Sequence, residues 1–317
     1  MVTEIRERPL REVNLKALAA PPGAPNRSLV PLKPSGSMPP LFVVHGMFGE
    51  IFHFKRLAER IRDDIALYGL EARGLWGDVD PHHSIPEAAA AYIEEIRSVR
   101  PTGPYLIGGF SFGGMIAWEI AHQLTDAGEH VDLILFDVGP NTLFRRRRRQ
   151  QHPRSLWRRL THPLRVATFH ARNAWGLESQ RRRAYLRSLY RDEMRRLGRR
   201  LGLGRNNSLY RASLRTGRQR PPGHLAIRAA FRDAWQTWEW LPYRGHVTLI
   251  RARIQQPNDD LGPTLGLTPE LTLGGIEVHH VTGHHDYIFV EPHVYLLAAE
   301  LEGWVDRVTA GHAAVRP

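Results

Sequence analysis

The chain has 317 residues, is 42% hydrophobic and carries a formal net charge of +12 with no cysteine. That length suits one large α/β domain or two small ones. The missing cysteines exclude disulfides, thiolate metal sites and a thiol nucleophile, in keeping with a cytoplasmic protein. With no run of 18 apolar residues, and an N-terminus that carries acids and no apolar core, the pattern predicts neither a transmembrane helix nor a secretory signal.

Taken in chain order, residues 1–27 read as a flexible leader, 28–310 as one main domain and 311–317 as a tail. Strand and helix signals then alternate. "LFVVHG" (41–46) is a buried-strand run, and "IFHFKRLAERI" (51–61) has helical spacing at Phe54, Leu57, Ala58 and Ile61. "IALYGL" (65–70) is a second strand. The next helix, 84–99, opens on a capping-box pattern from Ser84 to Glu87, with Pro86 in its first turn. Strand 104–110, helix 113–127 ending at Gly128 and strand 131–137 follow. Beyond a long basic stretch come strands 246–252 and 276–281 and a helix from about 291 to 304. Such alternation predicts a mostly parallel sheet covered on both faces.

The charge is regional. From 145 to 220 there are 24 arginines, no lysine and three acidic residues, a local net charge of +21 that leaves the rest of the chain at −9. Within it, 181–201 places Leu186, Leu189, Tyr190, Met194, Leu197 and Leu201 at three- and four-residue steps, an amphipathic helix with an arginine-covered outer face. A weaker helical pattern spans 154–175. Residues of about 140–240 therefore read as a helical insertion between two strands.

Gly109-Phe110-Ser111-Phe112-Gly113 is G-x-S-x-G between a predicted strand and a predicted helix, the context a nucleophile elbow requires. A tight turn there lifts Ser111 above the carboxyl edge of the sheet and leaves the Phe112 N–H at a helix N-terminus, facing any negative charge that develops. A serine hydroxyl needs a base, and the base an orienting acid. Asp137, at the end of the following strand, is one acid; Asp259 and Asp260, after strand 246–252, are the alternatives. His284 and His285, after the last strand, are the candidate bases. The turn "HGMFGE" (45–50) offers a second oxyanion donor, the backbone N–H of Met47, while His45 reads as structural.

Five segments, "SLVPLKPSGSMPPLFVVHG", "YGLEARGL", "GPYLIGGFSFGGMIAWEIAHQL", "LFDVGP" and "EVHHVTGHHDYIFVEPHVYLLAAEL", occur in register between about 28 and 305. Together they resemble the thioesterase domains of nonribosomal peptide synthetases and polyketide synthases. The resemblance implies an α/β-hydrolase fold, Ser111 as nucleophile, Asp137 in preference to Asp259 or Asp260 as acid, and His285 as base. The chain departs from the family at His284, where an acid or amide is commoner, and His284 stays as the alternative base. The basic insertion corresponds to the family's helical lid.

The activity implied is release of an acyl, peptidyl or polyketide chain from a phosphopantetheine thioester, by hydrolysis or cyclisation, with no metal and no cofactor of the enzyme's own. The implied partner is an acyl or peptidyl carrier protein, met in trans or within a synthase. An arginine-dense lid suits an acidic carrier or a phosphate-bearing arm. A carboxylesterase acting on oxoesters, and a non-catalytic scaffold binding an acidic carrier or polyanion, are the alternatives. For nucleic acid, "FRRRRRQQ" (144–151) is the obvious patch. No recognised nucleic-acid motif accompanies it, and packing explains Phe231, Trp235 and Trp238 on one helical face, so no specific nucleic-acid partner is expected.

Overall fold

The computed structural model of the chain describes residues 28–143, 221–255 and 262–315, together with Thr168, Ala171, Trp175, Arg182, Arg183 and Leu186. The described residues fall into two compact units. The first contains 28–143, 223–253 and 262–315; the second contains the six separate residues, 221–222 and 254–255.

Seven strands form one sheet: β1 (Leu29–Lys33), β2 (Leu41–Val44), β3 (Leu67–Leu70), β4 (Tyr105–Phe110), β5 (Val131–Phe136), β6 (Val247–Ile254) and β7 (Ile276–His284), all in the first unit but for the last residue of β6. Their spatial order is β1-β3-β2-β4-β5-β6-β7. β1 runs antiparallel to β3, whereas β3, β2, β4, β5 and β6 are successively parallel. The central strands are apolar on both faces, as a sheet covered twice requires. Along β5, Val131, Leu133 and Leu135 enter one core, and Ile134 and Phe136 enter the other. The first core is completed by α2 (Ile85–Val99), α3 (Phe112–Asp126) and α5 (His224–Thr237), the second by α1 (Phe54–Ala58) and α6 (His293–Val315). A short α4 (Pro140–Leu143) follows β5.

The helix starts follow their sequence signals. Ser84 Oγ accepts the Glu87 N–H at 3.2 Å, with Pro86 in the first turn. The Glu87 carboxylate reaches back one residue further than a standard capping box, to the N–H of His83 at 2.9 Å. α3 ends on Gly128, at φ 82, which supplies the left-handed cap. α1 is shorter than its 51–61 pattern, although Ile51 and Ile61 are buried with its apolar face. β7 is three residues longer than expected, which carries Gly283 and His284 into the strand. α6 continues through Val315, well past residue 304.

Gly223–Arg253 groups with the sheet. α5 buries Ile227, Phe231 and Ala234, and its C-cap Trp238 donates its indole N–H to Glu119 at 3.1 Å. Ile227 and Phe231 each contribute roughly 2 kcal/mol by burial. Packing thus accounts for the aromatics of 231–238. Thr168, Ala171, Trp175, Arg182, Arg183 and Leu186 are helical, and all are exposed, Leu186 included. The patch at 144–151, the leader 1–27, Asp259, Asp260 and the remaining residues of the predicted helices lie outside the described residues.

Candidate active site

Parallel strands bring their carboxyl ends to one edge of the sheet, where loops can converge. β4 delivers Ser111 there. Ser111 sits at φ 54, ψ −124, immediately before α3. For a non-glycine residue this backbone costs on the order of 1–3 kcal/mol and persists only where packing enforces it. The enforcement comes from its neighbours. A Cβ on Gly113 would fall on the His45 carbonyl oxygen, and one on Gly109 would fall on the Gly113 carbonyl and lie 2.7 Å from the Ala117 Cβ. The glycines therefore let β4, α3 and the β2 loop approach until the turn has only this conformation left. The Gly114 N–H closes it on the Ser111 carbonyl at 3.0 Å.

β5 delivers Asp137, also at positive φ (52). Its side chain is 3% exposed and fully engaged: Oδ1 accepts the Ala252 N–H at 2.8 Å, and Oδ2 accepts from His285 Nδ1 at 3.0 Å. Its own N–H donates to the Ile250 carbonyl at 2.7 Å. A buried carboxylate held by a strand N–H and an imidazole N–H is fixed in orientation. His285 follows β7 in a 3-10 turn. That exit requires Gly283, at φ 89, where a Cβ would lie 2.8 Å from the His293 ring. Burial pushes the His285 pKa down, but the hydrogen bond and charge of Asp137, with the charge of Asp286, outweigh it and hold the imidazole above its ordinary value. With Nδ1–H committed to Asp137, Nε2 is the nitrogen left for proton transfer. His284 is engaged otherwise: its Nδ1 accepts the Asp286 N–H at 3.3 Å and its ring packs on Tyr287.

Two backbone N–H groups border the same edge. Phe112 begins α3, so its N–H has no partner within the helix. Met47 lies in the turn after β2, closed by the Gly49 N–H on the Gly46 carbonyl at 3.0 Å. His45 anchors that turn. It is fully buried, with Nδ1–H donating to the Gly46 carbonyl at 2.7 Å and Nε2 3.1 Å from the Tyr92 hydroxyl. Burial lowers its pKa to about 4, so it stays neutral near pH 7.

Three neighbours escape sequence reasoning. Phe110 stacks on His285, with ring centroids 4.7 Å apart, and packs edge-on against Phe289. His53 lies against Phe54, Phe110 and Phe289, its buried Nε2 without a hydrogen-bond partner among the described residues, and burial lowers its pKa to about 3. At the carboxyl end of β3, burial raises Glu71 to about 7 against a hydrogen bond from Trp76. Only Phe110 left a trace in sequence, as the aromatic beside Ser111.

This geometry can be set beside known proteins. The family model described as "Thioesterase domain" matches residues 39–294. A dimodular nonribosomal peptide synthase of Bacillus subtilis (strain 168) is 40% identical over 114 residues, 36% of this chain and 5% of that protein. The polyketide synthase PksR of the same organism is 41% identical over 100 residues, 32% of this chain and 4% of that one. Malpinin synthetase of Mortierella alpina is 44% identical over 106 residues, 33% of this chain and 1% of that protein. The chain thus spans a small fraction of these relatives' lengths.

Among solved structures, the NocB thioesterase domain in covalent complex with a fluorophosphonate nocardicin G analog aligns with a TM-score of 0.52 and 21% identity, covering 83% of this chain and 92% of that one. A four-domain nonribosomal peptide synthetase, holo-AB3403, aligns with a TM-score of 0.58 and 21% identity, over 88% of this chain and 20% of that one. These likenesses establish the α/β-hydrolase fold. The family match, which covers most of the sheet unit, establishes more: this chain belongs to the thioesterase domain family.

Proposed function

We propose that the chain releases an acyl, peptidyl or polyketide product from the phosphopantetheine thioester of a carrier protein, through an acyl-enzyme on Ser111. The observation that carries this reading is the Asp137–His285 hydrogen bond at the sheet edge where the positive-φ turn presents Ser111. His285 Nε2 takes the Ser111 proton as Oγ attacks the thioester carbonyl. The oxyanion of the tetrahedral intermediate is received by the N–H groups of Met47 and Phe112, donors fixed before the reaction begins. The C–S bond breaks, His285 returns its proton to the departing thiolate, and the acyl group remains on Ser111. Water, or a hydroxyl or amine of the acyl chain itself, then gives its proton to His285 and attacks the ester carbonyl; the bond to Ser111 Oγ breaks, His285 returns the proton to that oxygen, and acid or ring leaves. Asp137 holds the productive tautomer and stabilises the imidazolium.

This chemistry runs on the three side chains and two N–H groups, with the substrate's own phosphopantetheine as its handle. The net +21 of residues 145–220, within the proposed lid of about 140–240, supports an acidic carrier as the partner. We place the reaction in the cytoplasm, where carrier-bound thioesters are assembled. The test is intact-protein mass spectrometry after incubation with acyl-N-acetylcysteamine and acyl-carrier thioesters. An acyl adduct on the native chain, absent from Ser111→Ala, is the expected result, and the released acid or ring identifies the second step. A folded native chain that gives neither adduct nor turnover across the panel would overturn the proposal. Faster turnover of the matching oxoester would redirect it to a carboxylesterase.

A further inference from the structure

A second histidine–aspartate cluster lies at the opposite, amino end of β5. His130 stands just before the strand, its backbone fixed because its carbonyl accepts the Tyr105 N–H at 2.9 Å. Asp132 is the second residue of β5, and strand alternation puts it on the face of Ile134 and Phe136, the face that α6 covers. On α6, Leu297, Leu301, Val305 and Val308 form the stripe packed against that face. His312 continues the stripe four residues beyond Val308, where helical spacing calls for another apolar residue. It is 15% exposed, and its Nε2 lies 2.7 Å from Asp132 Oδ2. His130 Nε2 lies 3.5 Å from that same oxygen. The two imidazoles meet edge to face with centroids 4.8 Å apart.

We propose that His130, Asp132 and His312 bind a divalent transition-metal ion of the Zn2+ class, which clasps the last turn of α6 to the amino end of β5. The three ligand atoms lie within 4.8 Å of one another. Zn2+ bonds of about 2.0–2.2 Å to nitrogen and oxygen need donors a little over 3 Å apart, within reach of small side-chain rotations. Two imidazoles and one carboxylate match the ion's borderline softness. His130, 63% exposed, leaves the fourth position open to water and gives the ion an entry path. The stripe position of His312 has an independent consequence, because a clasp there accounts for α6 staying helical through Thr309, Ala310 and Gly311. The site lies at the other end of the sheet from Ser111 and does not rest on the catalytic reading.

Co2+, a spectroscopic substitute for Zn2+, tests the site on the untagged chain of 317 residues. The expected result is one equivalent of Co2+ bound with a tetrahedral visible absorption, displaced by Zn2+. His130→Gln and His312→Gln should each weaken binding more than about 100-fold, beyond the usual cost of losing a supporting residue. At a hundredfold excess over Kd, Zn2+ should raise the Tm of the native chain by about 5 °C. His130 is exposed, so His130→Gln should keep the metal-free Tm and lose the metal-induced rise. Failure to saturate at one equivalent, or unchanged affinity in His130→Gln, overturns the proposal and leaves the cluster a plain ion pair.

Discussion

The two ends of β5 each hold an aspartate paired with a histidine from the C-terminal part of the chain, and they differ in every respect that matters to chemistry. At the carboxyl end, Asp137 is buried on a positive-φ backbone, with one oxygen accepting from the Ala252 N–H and the other from the His285 imidazole. At the amino end, Asp132 keeps ordinary strand geometry, is 14% exposed and receives two imidazoles at one oxygen. In the roles proposed for them, the same residue types at similar separations serve as a proton relay in one place and as an open metal clasp in the other. What separates them is the strain and burial the surrounding packing imposes, and these cost stability only where reaction geometry must be held.

The largest effect should come from exchanging the aspartates for amides. Asp137→Asn should lower kcat about 10⁴-fold, because the His285 tautomer is no longer held. Its charge also raises the His285 pKa, so the acid limb of kcat/KM should move to lower pH in the variant. Asp132→Asn should leave kcat within about twofold by the same thioester assay. Equal losses at both positions would erase the distinction.

Next comes acid stability. His45 and His53 have lowered native pKa values of about 4 and about 3, against an ordinary imidazole value of 6.5. Above pH 6.5 neither state binds these protons, and stability is undiminished. As pH falls below 6.5 the unfolded chain takes them up while the native chain does not, so stability falls until the native values are passed. Fully buried His45 accounts for about 2 kcal/mol of this between pH 6.5 and 5. His285, with its raised pKa, acts oppositely, adding stability below pH 6.5 that is lost as pH rises through its native value. Urea unfolding at pH 7 and pH 5 measures the net slope, which His53→Leu should flatten.

A smaller effect is expected at the ring supporting His285. Phe110→Leu should lower kcat about tenfold with KM little changed, since a stacked aromatic pair contributes roughly 1 kcal/mol, and Phe110→Tyr should restore most of the rate. A loss confined to KM would make Phe110 a substrate contact instead. The smallest effect belongs to the amino end without metal. His312→Gln should lower folding stability by about 1 kcal/mol in denaturant titration, as suits a partly exposed ion pair.

Much of this was readable in one dimension. The alternation of strands and helices, the Ser84 cap, the Gly128 stop and the glycines around Ser111 are local signals, and each marks an element or turn where it stands. The order of Ser111, Asp137 and a C-terminal histidine followed from chain topology, because parallel strands deliver their ends to one edge. Local sequence alone left open which of His284 and His285 meets Asp137. Gly283 and the 3-10 turn decide that, by turning His284 onto Asp286 and Tyr287.

Tertiary structure also placed Phe110 and His53 against each other and lengthened α6 through Val315. It brought His312 to Asp132 across 180 residues. The physical reason is one of range. Backbone propensities, caps and turn sterics act over a few residues and are written locally. Burial, ring stacking and convergence of charge depend on distances set only when remote segments pack.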